Sequence, residues 1–372
     1  MKESISNFSN DYEIHFLLGD VSSRGGIERV TITLANALSA LFTVKIISLY
    51  KSKEELAFEL GESVKLDVID DGNEVSMYNR QLSLIKGMNF DYCYIQKKSK
   101  RLRKLNEGVK VVAVACDVKM TLLARKSNYK KIVAIEHFEY DVINPVLKVI
   151  RRILYSNLHH VVSLTEEDKY KYSWLPENKH SIIPNIVEEP QKVTKYNDRG
   201  KIVLAVGRLT HQKGFDLLIE AWKHAITNGW TLKIVGEGEE FAKLNSYISE
   251  NNLDDVFIFP FSTDISKYYN EAKIFVLSSR YEGLGMVLIE ALSYGLACIS
   301  FNCPAGPKTI LTQDNGILVE PENVNMLSET ISKLINDNEK LERMNKFAPL
   351  SIDKFKSKAV TSQWVKIIRE LS

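Results

Sequence analysis

The sequence predicts two doubly wound α/β domains, and three observations support that fold class. Its 372 residues are 45% hydrophobic and 26% charged, which fits two soluble globular domains. Short runs of β-branched residues alternate with segments of helical periodicity along the chain, as in parallel sheets flanked by helices. The alternation is interrupted at residues 184–200, where two prolines, several charges and a closing glycine are typical of a link between domains.

The interruption sets the expected domain boundaries. Residues 1–187 are expected to form the first domain and residues 201–352 the second, with 188–200 as the linker. The segment 353–372 has the periodicity of an amphipathic helix with Trp364 on its apolar side. This helix is expected to pack back on the first domain.

The alternation also gives the expected order of elements. In the first domain it predicts strands over residues 12–18, 43–49, 64–69, 91–95, 109–115, 131–136 and 159–163. Helices between them are expected near 26–41, 76–87, 99–107, 118–127, 143–157 and 166–174. In the second domain it predicts strands over 201–206, 231–235, 256–259, 273–277, 297–301 and 316–319. Helices are expected there near 214–227, 238–250, 264–271, 285–294 and 322–335.

Composition argues against several classes of protein. With 49 Lys and Arg against 47 Asp and Glu, the net charge of +2 argues against a dedicated nucleic-acid binder. The four cysteines form no CxxC pair, so neither a disulfide framework nor a zinc site is indicated. No run approaches 18 apolar residues and the N-terminus does not resemble a signal peptide, so a cytoplasmic protein is expected.

The charge is unevenly distributed along the chain. Residues 95–152 contain fifteen Lys and Arg and five Asp and Glu, a local net charge of +10. Such a run can be an ordinary solvated face, or it can contact an anionic partner, either membrane phospholipid or a phosphate-bearing substrate. Its prominent basic residues are Lys97, Lys98, Lys100, Arg101, Arg103, Lys104, Lys148, Arg151 and Arg152.

The first motif that could bind a ligand is SSRGGIERV, residues 22–30, where a predicted strand ends and a helix begins. Gly25 and Gly26 let the backbone approach a ligand closely, and the free N–H groups at a helix start favour an anion. The dinucleotide fingerprint GxGxxG is absent. The glycine pair can therefore bind phosphate, or it can form a plain tight turn.

The second motif, GRLTHQKG at residues 207–214, follows the first strand of the second domain. Arg208 and Lys213 lie five residues apart around a short turn, so both can point into a cleft at the carboxyl ends of the strands. A planar guanidinium and a mobile ammonium together suit a diphosphate leaving group. The alternative is a pair of surface cations on a solvated loop.

The third motif, RYEGLGMVLIEALSYG at residues 280–295, is the most informative. Glu282 lies in a glycine-flanked turn after a strand, and Glu290 lies eight residues later on the following helix. A carboxylate on an apolar helix needs hydrogen-bond partners, which sugar or ribose hydroxyls supply. Amides at the helix start would point at an anion between the carboxylates. These amides belong to Leu284, Gly285, Met286 and Val287.

Together these fragments resemble the retaining family 4 glycosyltransferases of the GT-B fold. The resemblance spans residues 19–320 and rests on the order and spacing of GGIERVTITLANALS, the Glu-His pair at 136–137, LTEEDKYKY, IPN, GRLTHQKG and the E-x7-E of EGLGMVLIE. It implies two Rossmann-like, doubly wound parallel-sheet domains that face each other across a cleft. The C-terminal domain would hold a nucleotide-sugar donor and the N-terminal domain an acceptor. It also implies transfer with retention of configuration, without a required metal or other cofactor.

The resemblance implies a role for each motif residue. Arg208 and Lys213 correspond to the pair that binds the diphosphate. Glu290 corresponds to the glutamate that binds the ribose hydroxyls, and Glu282 to the one that touches the donor sugar. His137 corresponds to an active-site histidine beside that sugar. Further donor contacts would come from Gly25, Gly26, Gly283, Leu284, Gly285, Met286 and Val287.

Two features of the second domain refine these expectations. The stretch CPAGPKTI resembles the C-P-x-G-P-x-E-I variant of bacterial capsule, O-antigen, teichoic-acid and lipid-linked oligosaccharide transferases, but Thr309 replaces its glutamate. By analogy with that variant we expect a UDP-linked donor. The basic excess in the acceptor-binding domain favours a lipid-linked glycan acceptor at a membrane surface, with a soluble acceptor as the alternative. Phe261 lies where family members place residues near the base, and a core aromatic residue is the equal alternative.

Other functions remain open from the sequence. A nucleotide-sugar epimerase of the same fold would use similar donor contacts without an acceptor. A catalytically inactive sugar-nucleotide or glycan-binding subunit would have little need for the intact Glu282, Glu290, Arg208 and Lys213. A nicotinamide oxidoreductase is disfavoured because both halves lack the dinucleotide fingerprint.

Overall fold

The computed structural model describes residues 12–70, 84–137, 140, 145–262 and 264–371. The chain divides into two compact units. Unit 1 comprises Met1–Ile186 and Ser357–Ser372, and unit 2 comprises Val187–Lys356. Each unit contains one parallel sheet with its own flanking helices.

Unit 1 is built on a seven-stranded sheet in the order β3-β2-β1-β4-β5-β6-β7. Its strands are β1 (Glu13–Asp20), β2 (Thr43–Tyr50), β3 (Val64–Asp70), β4 (Val111–Ala115), β5 (Lys131–Glu136), β6 (His160–Ser163) and β7 (His180–Ile182). The helices are α1 (Gly26–Ser39), α2 (Leu84–Asn106), α3 (Val118–Lys126), α4 (Pro145–Ser156) and α5 (Glu166–Lys171). A later helix, α13 (Ser357–Leu371), also belongs to this unit.

Unit 2 is built on a six-stranded sheet in the order β10-β9-β8-β11-β12-β13. Its strands are β8 (Ile202–Val206), β9 (Thr231–Val235), β10 (Val256–Phe259), β11 (Ile274–Leu277), β12 (Ala297–Phe301) and β13 (Gly316–Val319). The helices are α6 (Phe215–His224), α7 (Phe241–Glu250), α8 (Ser266–Glu271), α9 (Met286–Ser293), α10 (Pro307–Ile310), α11 (Val324–Asn336) and α12 (Asn338–Phe347).

The strand order reverses between β1 and β4 in unit 1 and between β8 and β11 in unit 2. Every strand pair recorded in the two sheets is parallel, so the carboxyl ends share one edge of each sheet. Central strands such as β4 and β12 are buried at every residue, as expected for strands covered on both faces. Ligands of open α/β sheets bind at such reversals, outside the carboxyl ends.

The structure confirms most of the predicted alternation, but it contains a strand, β7, and a helix, α12, that were not predicted, and one predicted strand is absent. The strand predicted over 91–95 is wrong, because these residues lie within α2. The run DYCYI has residue types common in strands, but Tyr94, Ile95, Leu102 and Leu105 pack on the core of unit 1 at helical spacing. The helix predicted over 76–87 falls largely on residues 71–83, outside the described part of the chain.

Helix α13 closes one side of unit 1. It buries Val360, Trp364, Ile367 and Ile368 and contacts α1. Within the described residues, no helix combines the length and apolar character needed to cross a bilayer.

Candidate functional site

The second and third sequence motifs meet at the strand reversal of unit 2. GRLTHQKG follows β8, and the segment that begins at Ser278 follows the neighbouring strand β11. The backbone N–H of Arg280 donates to the carbonyl of Gln212 over 2.8 Å. The Ser278 hydroxyl donates to the carbonyl of Lys213 over 2.9 Å. These bonds hold the two loops side by side.

Gly214 permits this close approach. Its φ of +61° lies in the left-handed region, and a Cβ there would lie 2.1 Å from the carbonyl oxygen of Ser278. Any larger residue would therefore push the Lys213 loop away from β11. The final glycine of GRLTHQKG is required by packing as well as by backbone conformation.

Lys213 and Glu282 form the charged centre of the site. The Lys213 Nζ lies 2.6 Å from the Glu282 Oε1, and the Ser279 hydroxyl donates to the same oxygen over 2.6 Å. Glu282 is buried, with only 6% of its surface exposed. The sequence predicted separate contacts for these two residues, and the structure brings them together as an ion pair. A phosphate oxygen that reaches this ammonium would share it with the carboxylate.

Arg208 lies on the same loop but is exposed. A different arginine, Arg280, organises the loop. Its guanidinium binds Asp216 through two hydrogen bonds of 3.0 and 2.8 Å, and donates to the His211 carbonyl over 2.7 Å and to Glu322 over 3.1 Å. Sequence reasoning missed Arg280, since its neighbour Glu282 carries the recognisable motif and an arginine in a loop has no distinguishing pattern.

Glu290 lies on α9, the helix that follows the Glu282 loop, and is as buried as Glu282. Its Oε2 accepts a hydrogen bond from the Tyr269 hydroxyl over 3.1 Å. Tyr269 is fully buried on α8 and stacks on Tyr294 with ring centroids 5.0 Å apart. Sequence reasoning also missed Tyr269, since it lies on a different helix 21 residues before Glu290 and no local pattern signals the contact.

The segment from Gly283 to Val287 forms the turn into α9. Gly285 adopts a φ of +81° immediately before the first helical residue, Met286. A Cβ at Gly306 would lie 2.4 Å from the carbonyl oxygen of Leu284, so the CPAGPKTI loop packs tightly against this turn. The first amides of α9 are thus fixed beside Glu282. Thr309 lies on the short helix α10 and is half-buried.

Phe261 lies apart from this centre along the sheet. It follows β10, the edge strand that is separated from β8 by β9. With 36% of its surface exposed, it can pack against an additional ring. Its predicted contact with the base stays a prediction.

In unit 1, Gly25 and Gly26 lie at the strand reversal beside β1, where α1 begins. A Cβ at Gly25 would lie 2.1 Å from the Glu28 Oε2, whereas one at Gly26 would meet open space. The Glu28 carboxylate therefore folds back over the helix start. An anion that binds these amides would meet that carboxylate.

His137 directly follows β5 at the carboxyl edge of the unit 1 sheet. It is half-buried, and its Nε2 is sealed from solvent and makes no hydrogen bond with the described residues. Burial lowers the pKa of His137 to about 4. The imidazole is therefore neutral near pH 7, which suits a hydrogen bond to a hydroxyl better than a charge contact with phosphate.

Two residues of the basic run differ from the expectation of a solvated face. Lys98 is buried and bound to Asp70, and Arg151 is fully buried and bound to Glu136. Neither can contact an external anionic surface. Each lies on the inward face of its helix, a placement that the charge run alone does not reveal. Among the side chains of α2, α3 and α4 whose exposure the structure describes, the exposed basic ones are Lys97, Lys100, Arg101, Arg103, Lys104, Arg125, Lys126 and Arg152.

A metal centre is not evident in the described part of the molecule. Within it, no cluster of three or more His, Cys, Asp or Glu side chains could hold a metal ion. The expected metal independence stays a prediction.

The chain is similar to known glycosyltransferases. Residues 187–350 match the family model described as glycosyl transferases group 1. An uncharacterised glycosyltransferase of Haemophilus influenzae is 30% identical, with 96% of this chain and 99% of that protein covered. The amylovoran biosynthesis glycosyltransferase AmsD of Erwinia amylovora is 29% identical, with 87% and 90% covered.

A further relative and a solved structure extend the comparison. A Campylobacter jejuni protein named as an α-1,4-N-acetyl-D-galactosaminyltransferase acting on a diphosphoundecaprenol-linked glycan is 24% identical, with 96% of this chain and 99% of that protein covered. The structure of Staphylococcus aureus TarM with fondaparinux, α-GlcNAc-glycerol and UDP superposes with a TM-score of 0.77 at 15% identity, with 95% and 99% covered.

Proposed function

Because this chain belongs to the group 1 glycosyltransferases and has the GT-B fold, we propose that it transfers a sugar from a UDP-sugar to a hydroxyl of a glycan acceptor with retention of configuration. The observation that carries this proposal is the contact of Lys213 with Glu282 at the strand reversal of unit 2, directly before the helix α9 that carries the buried Glu290. A cation and buried carboxylates on these adjoining elements suit a ligand that combines phosphates with several hydroxyls.

The proposed reaction breaks the bond between the anomeric carbon and the diphosphate oxygen. Positive charge grows on the sugar and negative charge on the departing phosphate. Lys213, Arg208 and the first amides of α9 stabilise the phosphate. The acceptor hydroxyl forms the new bond on the same face of the sugar, and its proton passes to the departing phosphate oxygen. This route gives retention without a carboxylate nucleophile.

The carboxylates bind hydroxyl groups in this scheme. Glu290 holds the ribose hydroxyls, with the Tyr269 hydroxyl fixing its second oxygen. Glu282 contacts the donor sugar while its Oε1 stays bound to Lys213. His137, neutral near pH 7, accepts or donates a hydrogen bond to a sugar hydroxyl.

The proposal also covers the donor nucleotide and the cofactor requirement. UDP is supported by the structural similarity to TarM, which was solved with UDP. We propose that no metal is required, because a cation and a helix start lie where a metal would otherwise neutralise the diphosphate.

We propose a lipid-linked acceptor in bacterial surface polysaccharide assembly, at the inner face of the cell membrane. Two relatives support this, one named for amylovoran biosynthesis and one for transfer to a glycan linked to diphosphoundecaprenol. The third support is the outer layer of α2, α3 and α4, which all pack on one core cluster and therefore cover one face of the unit 1 sheet.

This layer has the chemistry of a surface that binds an anionic bilayer. Residues 93–106, 118–126 and 148–156 contain no Asp or Glu, and apart from the buried Lys98 and Arg151 they contain exposed or half-buried Lys and Arg. Helix α4 adds an exposed apolar row, since Val149 and Ile153 are 60% and 66% exposed and Ile150 lies beside them. Apolar side chains among basic ones are typical of helices that lie in a membrane interface. The contact would be weak and sensitive to salt.

The alternative of an epimerase is tested together with the proposal. Purified protein is incubated with a panel of UDP- and GDP-sugars, with and without short glycan acceptors carrying a lipid diphosphate. We expect donor consumption to accelerate with one acceptor and NMR of the product to show the donor's anomeric configuration. Conversion of a UDP-sugar to its epimer without an acceptor would favour the epimerase, and inversion in the product would overturn the retaining mechanism. Thermal stabilisation by UDP without turnover of any donor would favour the inactive subunit.

A further inference from the structure

A buried ionic cluster surrounds the end of β5, directly before His137. Glu136, the last residue of the strand, and Arg151, in the middle of α4, are both buried. The Arg151 Nη1 lies 3.3 Å from the Glu136 Oε2. The other carboxylate oxygen, Oε1, accepts a hydrogen bond from the Tyr155 hydroxyl.

The same guanidinium also binds the chain beyond His137. Its Nη2 donates to the carbonyl of Tyr140 over 3.3 Å, and its central carbon lies 3.9 Å from the centroid of the Tyr140 ring. A second ring, that of Tyr172, lies 5.0 Å away. Arg151 therefore contacts residue 136 on one side of His137 and residue 140 on the other.

A packing role alone does not account for this cluster. Burying an arginine and a glutamate together carries a large desolvation penalty, and apolar residues of similar volume often give equal or greater stability. What a buried ion pair provides in addition is a defined geometry, because the planar guanidinium binds in few orientations. Here that geometry applies to the residues on either side of His137.

His137 needs such support from its neighbours. The regular ladder of β5 ends at Glu136, so no strand pairing fixes the next residue. Its Nε2 has no hydrogen bond to any described residue that would orient the ring.

We propose that Arg151 is a positioning residue for His137, which it holds in place by binding Glu136 and Tyr140 on either side. This inference rests on the proposed contact between His137 and the sugar. Glu136 and Tyr155 complete the arrangement by fixing the orientation of the guanidinium. Loss of Arg151 would free Glu136 and Tyr140 to shift, and the imidazole between them would leave its productive position.

The test compares Arg151→Lys with a matched control, Lys98→Gln. Lys98 is also a buried cation of unit 1, bound to Asp70 at the end of β3, and lies in none of the proposed machinery. Lysine at position 151 keeps the charge but cannot bind Glu136 and Tyr140 together with a planar fork. We expect Arg151→Lys to lower kcat at least tenfold with unchanged affinity for UDP, and Lys98→Gln to leave kcat within twofold of the wild type.

A readout independent of turnover is the imidazole signal of His137. In protein labelled with 15N-histidine and assigned with His137→Gln, we expect Arg151→Lys to shift the His137 ring resonances and Lys98→Gln to leave them in place. An unchanged His137 signal in folded Arg151→Lys would overturn the proposal, even if the protein has no transferase activity. If Arg151→Lys does not fold, Glu136→Gln is used instead, since it keeps the side-chain shape and weakens the contact between residues 136 and 151. An unchanged His137 signal in that variant would likewise overturn the proposal.

Discussion

Lys213 and Glu282 are in direct contact, with Nζ and Oε1 2.6 Å apart on loops that follow two neighbouring strands. The Ser279 hydroxyl donates to the same carboxylate oxygen. The ammonium is therefore oriented before any phosphate arrives. In the proposed reaction, an incoming diphosphate would meet a cation whose position is already fixed, which would reduce the ordering required on binding.

Replacement of Lys213 by alanine is expected to lower kcat/KM for the donor about 30- to 900-fold. This range corresponds to about 2 to 4 kcal/mol for a lost charged contact that also leaves Glu282 buried without its cation. Steady-state kinetics with saturating acceptor measures the effect. Lys243→Ala is the control, because that lysine is 69% exposed in the same unit. Near-normal turnover by a folded Lys213→Ala protein would remove this residue from the donor site.

Replacement of Glu290 by alanine is expected to raise both the KM for the donor and the Kd for UDP, each by a factor similar to the loss expected for Lys213→Ala. Tyr269→Phe removes only the hydrogen bond to Glu290, so we expect a weaker effect of about fivefold, from about 1 kcal/mol. Calorimetric titration with UDP separates the two variants. If Glu290→Ala bound UDP as tightly as the wild type, the ribose contact assigned to this carboxylate would be wrong.

Chelation is expected to leave activity intact. Transfer measured in excess EDTA should stay within twofold of the untreated rate, because Lys213 and the start of α9 neutralise the departing diphosphate. Protein passed over a chelating resin provides the control for residual metal. Complete loss of activity, restored by Mg²⁺ or Mn²⁺, would contradict this expectation.

Binding to liposomes is expected to depend on anionic lipid and on salt. Co-sedimentation at low salt should fall severalfold when Lys97, Lys100 and Lys104 are changed to glutamine, and also when Ile153 is changed to serine. Ile226→Ser is the matched control, since Ile226 is 64% exposed but lies in unit 2. Equal sedimentation with neutral and anionic vesicles would show that the basic layer does not bind anionic lipid and is an ordinary solvated face.

Stability is expected to fall on acidification from about pH 6.5 to pH 4. Burial lowers the pKa of His180 to about 4, while its Nε2 is hydrogen-bonded to the Ser163 hydroxyl over 2.6 Å. In this window the unfolded chain binds a proton that the folded protein does not, so the free energy of unfolding decreases as pH falls. Urea denaturation at several pH values gives the free energy of unfolding as a function of pH. Between pH 4 and pH 6.5, this free energy should change less with pH for His180→Gln than for the wild type. An equal pH dependence of the free energy of unfolding in the two proteins would show that the pKa of His180 is not lowered on folding.

The sequence was sufficient to predict most strands, because buried parallel strands are short apolar runs bounded by turns, as in β4 and β12. The motifs also directed attention to Lys213 and Glu282, which the structure brings into contact, and to Glu290, which it buries. Their roles in the site stay predictions. The sequence could not reveal that Tyr269 binds Glu290 or that Arg280 holds the preceding loop. Those contacts join residues far apart in sequence, and no local periodicity encodes them. For the same reason Arg151 was grouped with surface cations although its helix turns it inward.

The placement of α13 in unit 1 has a consequence for biosynthesis. Val360 and Trp364 of this helix line a small cavity together with Val30, Leu34 and Ile135, yet the ribosome adds them after all of Val187–Lys356. During synthesis the nascent chain carries these early apolar residues without the helix that later covers them. Unit 1 is therefore completed only when Ser357–Ser372 has been translated, after the whole of unit 2. A truncated product that ended before Ser357 would leave this surface open to water and to chaperones.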